Sequence, residues 1–178
     1  MTITETFISD LYLISYPGFH DNRGEFIKTI HSGTFENAGL DYEFKESYYS
    51  VSHKDVIRGM HFQIPPDDHC KLVHVLTGSI LDIVLDIRTS SPTFGKYFQI
   101  ELNSEKKEAL YIGKGLAHGF LSLINDTIVE YHTTTPHSVL NEKGIHYNSF
   151  GFKWEIDRPV LSERDLNQPL FLEFKNPF

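Results

Sequence analysis

The sequence has little of several features that mark whole classes of protein. Its 178 residues include a single cysteine, Cys70, so no internal disulfide can form, and we expect a cytoplasmic protein. No apolar run approaches the roughly 20 residues of a membrane-spanning helix, and the first residues lack the basic and apolar segments of a signal peptide. Lysine and arginine number 16 against 24 aspartates and glutamates, and the net charge of −8 is unfavourable for a nucleic-acid-binding surface. We therefore expect neither a membrane nor a nucleic acid as a partner, whereas an anionic small ligand remains compatible with local Arg and Lys.

The length and composition are those of an ordinary globular domain. Hydrophobic residues make up 40% and charged residues 22% of the chain, so we predict one domain over residues 1–178. Only residues 32–38, which Gly39 ends, resemble a helix. Strands are expected at 11–16, 44–52, 71–76, 79–87, 97–102, 110–112, 120–123 and 127–133. This spacing predicts an all-β sandwich or barrel, with the Pro-rich tail 154–178 wrapped around it.

Residues 19–26 form a turn-rich stretch with one arginine between aromatic residues. In one interpretation, Asp21 and Asn22 make turn hydrogen bonds and Arg23 is solvated. In the other, Arg23 binds an anion while Phe26 stacks on a flat ring. On its own the stretch favours the first interpretation, a surface loop.

The stretch 56–63, together with a second apolar run that Lys71 opens, holds the strongest candidates for a site. Strict alternation along a strand would place Arg58 and His61 on opposite faces. Gly59 lies between them, and a bulge there would bring both side chains to one side, where Lys71 of a neighbouring strand could join them. The alternative is a half-buried strand with two solvated polar residues, and the stretch alone does not separate the two interpretations.

Two carboxylates, Asp82 and Asp86, interrupt the aliphatic run 79–87, which we expect in the interior of a sheet. A buried carboxylate is costly unless it is paired or hydrogen-bonded. We predict that Asp82 lines a cavity with Lys71, and that Asp86 bonds the backbone or an arginine such as Arg88.

Of the ten histidines, His61 and His118 stand out because each lies beside glycine and phenylalanine in an apolar context. A single histidine in such a run is usually structural, but two in similar settings favour a shared cavity. Zinc or iron would need three or four ligands, and the His-x-His pair that metal-binding β-barrels use is absent around His61. The residues therefore predict a site without a metal.

Several blocks along the chain together resemble the dTDP-4-dehydrorhamnose 3,5-epimerase family. They run in order from Phe19 to Asp165 and comprise Phe19-x-Asp21-x-Arg23-Gly24-x-Phe26, Val56-Ile57-Arg58-Gly59-Met60-His61-Phe62-Gln63, Pro65-Pro66, Lys71-Leu72-Val73, Val84-Leu85-Asp86-Ile87-Arg88, Ser91-Pro92-Thr93-Phe94-Gly95, Gly115-Leu116-Ala117-His118-Gly119-Phe120 and Leu161-Ser162-Glu163-Arg164-Asp165. The resemblance implies a cupin-type jelly roll without a metal or redox cofactor. It also implies a homodimer that exchanges strands of the N-terminal region 1–50, and a nucleotide-linked 4-keto-6-deoxy sugar as substrate.

Such a sugar has its acidic C–H bonds at C3 and C5, on either side of the carbonyl. Removing either proton gives an enolate, and returning a proton to the opposite face inverts the carbon, which requires a base, an acid on the other face and a positive charge near the carbonyl oxygen. The resemblance assigns the base to His61, oriented by Asp165, and an imidazole suits this role because its pKa lies near neutrality. It assigns the acid to Tyr131 and the positive charge to Lys71. Further substrate contacts implied by the resemblance are Asp82 and His118 in the cavity and Arg23 and Arg58 on the pyrophosphate.

Three positions depart from the family where it contacts the nucleotide and the sugar. Glu46 and Tyr48 stand in place of Gln and Asn, and His137 stands in place of a second Tyr. A glutamate only accepts hydrogen bonds, which suits the amino group of cytosine or guanine better than the carbonyl of thymine. The base, which we expect Phe26, Glu46 and Tyr48 to contact, is therefore open among dTDP, CDP and GDP, with dTDP preferred. Because His137 is expected against the sugar, inversion at C3, at C5 or at both also stays open.

Three alternatives to a dTDP-sugar 3,5-epimerase follow from these observations. The first is a mono-epimerase that acts at C3 or C5 of a CDP- or GDP-linked sugar. The second is a metal-dependent cupin enzyme such as an oxygenase, which metal analysis would distinguish. The third is a non-catalytic protein that binds sugar nucleotides, against which the base–acid pair of His61 and Tyr131 argues.

Overall fold

The computed structural model describes residues 1–178 and consists mainly of strands and the turns between them. The strands are β1 (Thr2–Glu5), β2 (Leu11–Ser15), β3 (Gly18–Asp21), β4 (Gly24–Ile27), β5 (Glu46–Ser52), β6 (Ile57–Gln63), β7 (Lys71–Thr77), β8 (Ser79–Asp86), β9 (Tyr97–Asn103), β10 (Glu108–Ile112), β11 (Leu116–Ser122), β12 (Thr127–Thr133) and β13 (Glu142–Gly144). The two helices, α1 (Ser32–Asn37) and α2 (Glu163–Leu166), are short. The prediction of an all-β protein is therefore confirmed.

Two antiparallel sheets face each other. The first has six strands in the order β1-β2-β10-β7-β12-β5, and the second has five in the order β13-β6-β11-β8-β9. In the second sheet β8 lies between β11 and β9, so the aliphatic run 79–87 occupies an interior strand as predicted. The strands β3 and β4 form a separate hairpin.

Side chains from both sheets meet in a central core of 13 buried residues. Val73 and Val129 of the first sheet pack in one cluster with Val84 and Phe120 of the second. Full burial of each such side chain contributes about 1.5–3 kcal/mol of hydrophobic free energy. Tyr131 belongs to the same cluster, so the central core extends to the candidate site described below.

Further apolar layers cover the outer faces of the two sheets. Behind the second sheet, the ring of Phe62 lies 5.1 Å from that of Phe174 and 6.4 Å from that of Phe178, both in the C-terminal tail. Behind the first sheet, Phe35 of α1 lies 6.1 Å from the ring of Tyr111. Because both faces of β8 and β11 are buried, these strands have apolar residues without strict alternation.

Residues 19–26 lie at the surface and Asp21 makes the predicted turn hydrogen bond, but the stretch forms a β-hairpin rather than a loop. They lie in the β3–β4 hairpin, where Asp21 is the Cα partner of Gly24 across a two-residue turn. The Asp21 carboxylate accepts hydrogen bonds from the backbone N–H and the guanidinium of Arg23, which stabilises the turn. Turn-forming residues make up much of this short segment. Its two strands have four residues each, which is too short for an alternating pattern to predict them.

Of the two interpretations of the stretch 56–63, the one with a bulge at Gly59 is confirmed. His61 pairs with His118 and Arg58 with Phe120, so three steps along β6 match two steps along β11. The extra residue turns Arg58 and His61 to the same side, and both line one cavity. Gly59 has a φ of +133°, and a Cβ built there would lie 2.4 Å from the Cα of Gly119. Only glycine fits this close approach of the two strands.

Replacing Gly59 with alanine should therefore destabilise the fold by about 2–4 kcal/mol, from backbone conformation and overpacking together. The measurement is the urea midpoint and slope of unfolding. Gly151→Ala is the matched control because Gly151 also has a positive φ, of 85°, but faces open space. Equal losses in the two variants would show that the contact with Gly119 is not the cause.

Candidate active site

A polar cleft lies between the two sheets. It consists of two adjoining cavities of about 250 and 340 Å³, which share Tyr48, His61, Lys71 and Glu142. The strand β6 contributes Arg58 and His61 from the second sheet, whereas β7 and β12 contribute Lys71 and Tyr131 from the first. A ligand in the cleft would thus contact side chains on two opposing walls.

His61 forms a close pair with Asp165 at one wall of the cleft. The His61 Nε2 lies 2.6 Å from the Asp165 Oδ1. Asp165 is 4% exposed and lies in α2, whose first turn is capped by the Ser162 hydroxyl accepting the Asp165 N–H. Because the carboxylate accepts, Nε2 carries the proton and Nδ1 keeps a lone pair.

The electrostatics of Asp165 keep its carboxylate ionised. Burial on its own would raise the pKa of Asp165, but the hydrogen bond and charge of His61, together with Ser162 and Arg164, lower it below its usual value. The ionised carboxylate therefore fixes the orientation of the imidazole ring and favours the tautomer with a proton on Nε2.

Lys71 lies deep in the cleft with its ammonium near His61. Its Nζ is 3.4 Å from the His61 carbonyl oxygen, and the residue is 8% exposed. Burial lowers the pKa of Lys71 to about 8, while the charges of Glu142 and Asp82 oppose this shift. The ammonium is thus predominantly charged at neutral pH and loses its proton more readily than a surface lysine.

Tyr131 faces the cleft from the opposite sheet. It is 7% exposed, and its ring stacks on that of Tyr48 with centroids 4.8 Å apart. Burial raises the pKa of Tyr131 well above its usual value, so the phenol keeps its proton. It can therefore donate a hydrogen bond or a proton into the cleft.

His118 lines the cleft, whereas Asp82 lies behind it. The His118 Nε2 is 2.9 Å from the Asp82 Oδ2, and Asp82 is fully buried. The prediction that Asp82 lines the cavity is thus wrong, because β8 places the carboxylate beneath the imidazole of β11. Asp86 makes the predicted structural contact, since its carboxylate accepts hydrogen bonds at 2.9 Å from Arg88 Nε and Nη2.

Arg58 is held at the edge of the cleft by β5. Its Nε donates to the Ser52 hydroxyl at 3.0 Å and its Nη2 to the Val51 carbonyl at 3.2 Å. These contacts orient the guanidinium in a cavity that His61 also lines, where it can bind an anion.

The other wall of the cleft carries the three residues that depart from the family. Glu46, Tyr48 and His137 all line the smaller cavity. The Glu46 carboxylate accepts the backbone N–H of His137, and the His137 Nε2 lies 2.8 Å from the Glu142 Oε2. Glu46 and His137 are therefore linked to each other, and His137 to Glu142.

Four further residues line the cleft that the sequence did not predict as site residues: Gln63, His69, Glu142 and Arg164. Glu142 accepts from the Arg164 guanidinium at 2.8 Å as well as pairing with His137. Burial would raise the pKa of Glu142, but the hydrogen bonds from Arg164 and His137 lower it to about 2. Glu142 is thus negatively charged at neutral pH, and its ion pair with Arg164 holds α2 beside the cleft. Since it lies in a turn-rich polar region, no sequence pattern distinguished it from solvated glutamates.

Arg23 and Phe26 are not among the side chains that line the cleft of their own chain. Arg23 pairs with Asp21 at the tip of the β3–β4 hairpin, and Phe26 is 62% exposed. Phe19 on the same hairpin is 63% exposed. Within one chain, the structure therefore does not bring these two predicted contacts to the site.

Comparisons with known proteins give likenesses to one family of enzymes. The family model for dTDP-4-dehydrorhamnose 3,5-epimerase matches residues 5–173. The Shigella flexneri protein of that name is 36% identical over 176 residues, which cover 97% of each chain. A crystal structure of the Elizabethkingia anophelis dTDP-4-dehydrorhamnose 3,5-epimerase superposes with a TM-score of 0.93 at 34% identity, covering 99% of this chain and 98% of the other.

Two other solved structures are similar and carry ligands. The Bacillus anthracis dTDP-4-dehydrorhamnose 3,5-epimerase with TDP and PPi bound has a TM-score of 0.91 at 32% identity, covering 95% of this chain and 98% of that one. A 3'-monoepimerase from Streptomyces bikiniensis in complex with dTDP-quinovose has a TM-score of 0.89 at 29% identity, covering 94% and 86%.

The fold and these likenesses define an isomerase with a cupin-type jelly roll, which confirms the predicted enzyme class and fold. More specifically, the chain belongs to the dTDP-4-dehydrorhamnose 3,5-epimerase family, as the resemblance in the sequence predicted. Neither helix is long or apolar enough to cross a membrane.

Proposed function

We propose that this epimerase inverts C3 and C5 of a dTDP-linked 4-keto-6-deoxy sugar. The observation that carries the proposal is the placement of His61 and Tyr131 on the two opposing sheets, with Lys71 in the cleft they share. Inversion requires a base on one side of the sugar and an acid on the other, and this cleft supplies both.

His61 acts as the base in this proposal. Its Nδ1 lone pair removes the proton next to the carbonyl, and the imidazolium that forms is stabilised by the Asp165 carboxylate at 2.6 Å. The electron pair of the broken C–H bond moves toward the carbonyl oxygen and forms the enolate. The Lys71 ammonium stabilises the charge on that oxygen.

Tyr131 then returns a proton to the opposite face of the ring. The phenol is fully protonated at neutral pH and faces the cleft from the first sheet. Before a second carbon is inverted, the phenolate must regain a proton and the His61 imidazolium must lose one, both by exchange with solvent. The ring of His118, which Asp82 holds on the second sheet, lies 6.2 Å from the ring of Tyr131 across the cleft.

The pyrophosphate is proposed to bind at Arg58, whose guanidinium suits bidentate contacts with phosphate oxygens. The exposed β3–β4 hairpin supports a homodimer, since a paired hairpin with two exposed phenylalanines favours an interface. In this dimer the partner's Arg23 and the partner's Phe26 would complete the nucleotide site.

A cytoplasmic location is also proposed, because the only cysteine, Cys70, is free and buried.

A mono-epimerase is the second candidate function. The similarity to the 3'-monoepimerase from Streptomyces bikiniensis supports this function. His137 supports it too, because this residue replaces the tyrosine of the family and pairs with Glu142 at the cleft.

Proton exchange in heavy water distinguishes these functions. The purified chain is mixed with the dTDP-linked 4-keto-6-deoxy sugar, and the products are followed by proton NMR. A 3,5-epimerase exchanges and inverts both carbons, whereas a mono-epimerase inverts only one. A protein that binds the sugar nucleotide without exchanging either proton would contradict the proposed activity.

The buried ammonium predicts a fall in activity at alkaline pH. Since the pKa of Lys71 is lowered to about 8, the group is charged below that pH and neutral above it. We expect kcat/KM to fall as the pH rises through about 8, because a neutral amine stabilises the enolate poorly. In Lys71→Met, kcat/KM should be lower by about 10²–10³ and should no longer fall in that range. An unchanged alkaline limb in Lys71→Met would assign the fall to another group.

The nucleotide preference is expected to depend on Glu46. Its carboxylate lines the smaller cavity and can accept a hydrogen bond from the amino group of cytosine or guanine. Glu46→Gln adds a donor and should shift the ratio of dissociation constants toward dTDP over CDP and GDP. Glu101→Gln on the outer strand β9 is the control. A ratio that is the same in all three proteins would show that Glu46 does not contact the base.

A further inference from the structure

A second cluster of ligand-type side chains lies outside the cleft, on the outer face of the first sheet. Side chains alternate along β12, so Glu130 and His132 point away from the cleft that Tyr131 faces. His74 of β7 is the Cα partner of Glu130. One ligand atom from each of His74, Glu130 and His132 lies within 4.8 Å of the others.

His74 presents a buried nitrogen that has no hydrogen-bond partner. The residue is 4% exposed, and its Nδ1 is unpaired, whereas its Nε2 lies 2.7 Å from the Tyr16 hydroxyl. If Nε2 carries the proton and donates to Tyr16, Nδ1 keeps a free lone pair that can bind a cation. Buried polar atoms are almost always partnered, so this nitrogen indicates a binding site. A hydrogen bond from the second ring nitrogen is also what orients histidines that bind metals.

The other two side chains have the spacing of ligands to one cation. The His132 Nε2 lies 3.3 Å from the Glu130 Oε2, yet it makes no hydrogen bond. Bonds of about 2.0–2.2 Å at tetrahedral angles separate two zinc ligands by about 3.3–3.6 Å. The rings of Tyr16 and Phe44, at 5.4 Å from His74 and 5.6 Å from His132, form apolar walls that limit water around the cluster.

We propose that His74, Glu130 and His132 bind a divalent cation of the zinc type, with a fourth position open to water. Two imidazoles and a carboxylate are a set of ligands that zinc favours. The side chains of Glu130 and His132 are 28% and 16% exposed, so a cation can enter from solvent. A bound cation links β7 to β12 directly behind Tyr131. The site is separate from the epimerase cleft and does not depend on the proposed function.

Cobalt is the probe for the test because its visible absorption reports coordination geometry. The full chain is treated with a chelator, titrated with Co²⁺ and then with Zn²⁺ as competitor. We expect one Co²⁺ per chain with the intense absorption of a tetrahedral site, displaced by Zn²⁺, and a higher Tm in the presence of Zn²⁺. Glu130→Gln and His132→Gln should each weaken binding at least about tenfold, since each removes one ligand.

His20→Gln is the matched control, because His20 also lies beside a carboxylate, at 3.0 Å from Glu25, but is far along the chain from the cluster. This variant should bind Co²⁺ as the wild type does. Should Glu130→Gln or His132→Gln not fold, Tyr16→Phe keeps the three ligands and should weaken binding about tenfold by freeing the His74 ring. An absence of saturable binding to the wild type, or binding unaffected in every folded variant, would overturn the proposal.

Discussion

Replacing His61 with asparagine should lower turnover by about 10²–10⁴-fold, the usual contribution of a general base. Asparagine keeps a side-chain polar group near Asp165 but cannot accept a proton from carbon. Nucleotide binding should change little, because Arg58 and Lys71 remain in place, so kcat should fall far more than the affinity for dTDP. The measurements are the rate of deuterium incorporation from heavy water and the dissociation constant for dTDP.

His53→Asn is the control for this variant, since His53 is exposed and does not line the cleft. It should exchange deuterium at the wild-type rate. Asp165→Asn should give a smaller loss than His61→Asn, because the imidazole remains but loses the charge that stabilises its protonated form. Near wild-type exchange in His61→Asn would assign the base to another residue.

Local rules were sufficient for much of the site. A bulge at Gly59 was one of two interpretations of the sequence, and the bulge present in β6 explains why two residues three apart share one cavity. Apolar surroundings identified His61 and His118 among ten histidines. These predictions depend on strand geometry, which a few neighbouring residues determine.

Contacts between distant segments could not be predicted in this way. The buried position of Asp82 behind His118 depends on the register of β8 and β11, which the sequence pattern does not give. Glu142 pairs with Arg164 only because α2 packs beside β6 and β13. Likewise His74 and Glu130 meet through the register of β7 and β12, although 55 residues separate them in the chain.

The resemblance of the sequence to a family supplied the link between these residues and a reaction. The family and the fold are confirmed, whereas the roles of individual side chains stay predictions. Arg23 and Phe26 show the difference, because the family assigns them to the nucleotide and the single chain leaves them outside its cleft. The proposed dimer accounts for both observations, since the hairpin of one subunit would complete the site of the other.

Replacing Tyr131 with phenylalanine should separate proton exchange from inversion. Phenylalanine preserves the stack on Tyr48 and the packing in the central core but removes the proton that the phenol holds. His61 on the opposite wall can still remove and return the substrate proton on its own face. We therefore expect deuterium to enter the substrate with retained configuration, while inversion falls by about 10²–10⁴-fold.

The measurement is the ratio of exchange to inversion, followed by proton NMR in heavy water. A loss of folding or binding lowers both rates together and leaves this ratio unchanged. Tyr97→Phe provides the control, since it removes a phenol from β9 that lies outside the cleft. The ratio should rise in Tyr131→Phe alone. If exchange and inversion fall equally in that variant, Tyr131 is not the acid and contributes to binding or to enolate stabilisation. The acid would then be another hydrogen-bond donor on the wall formed by the first sheet.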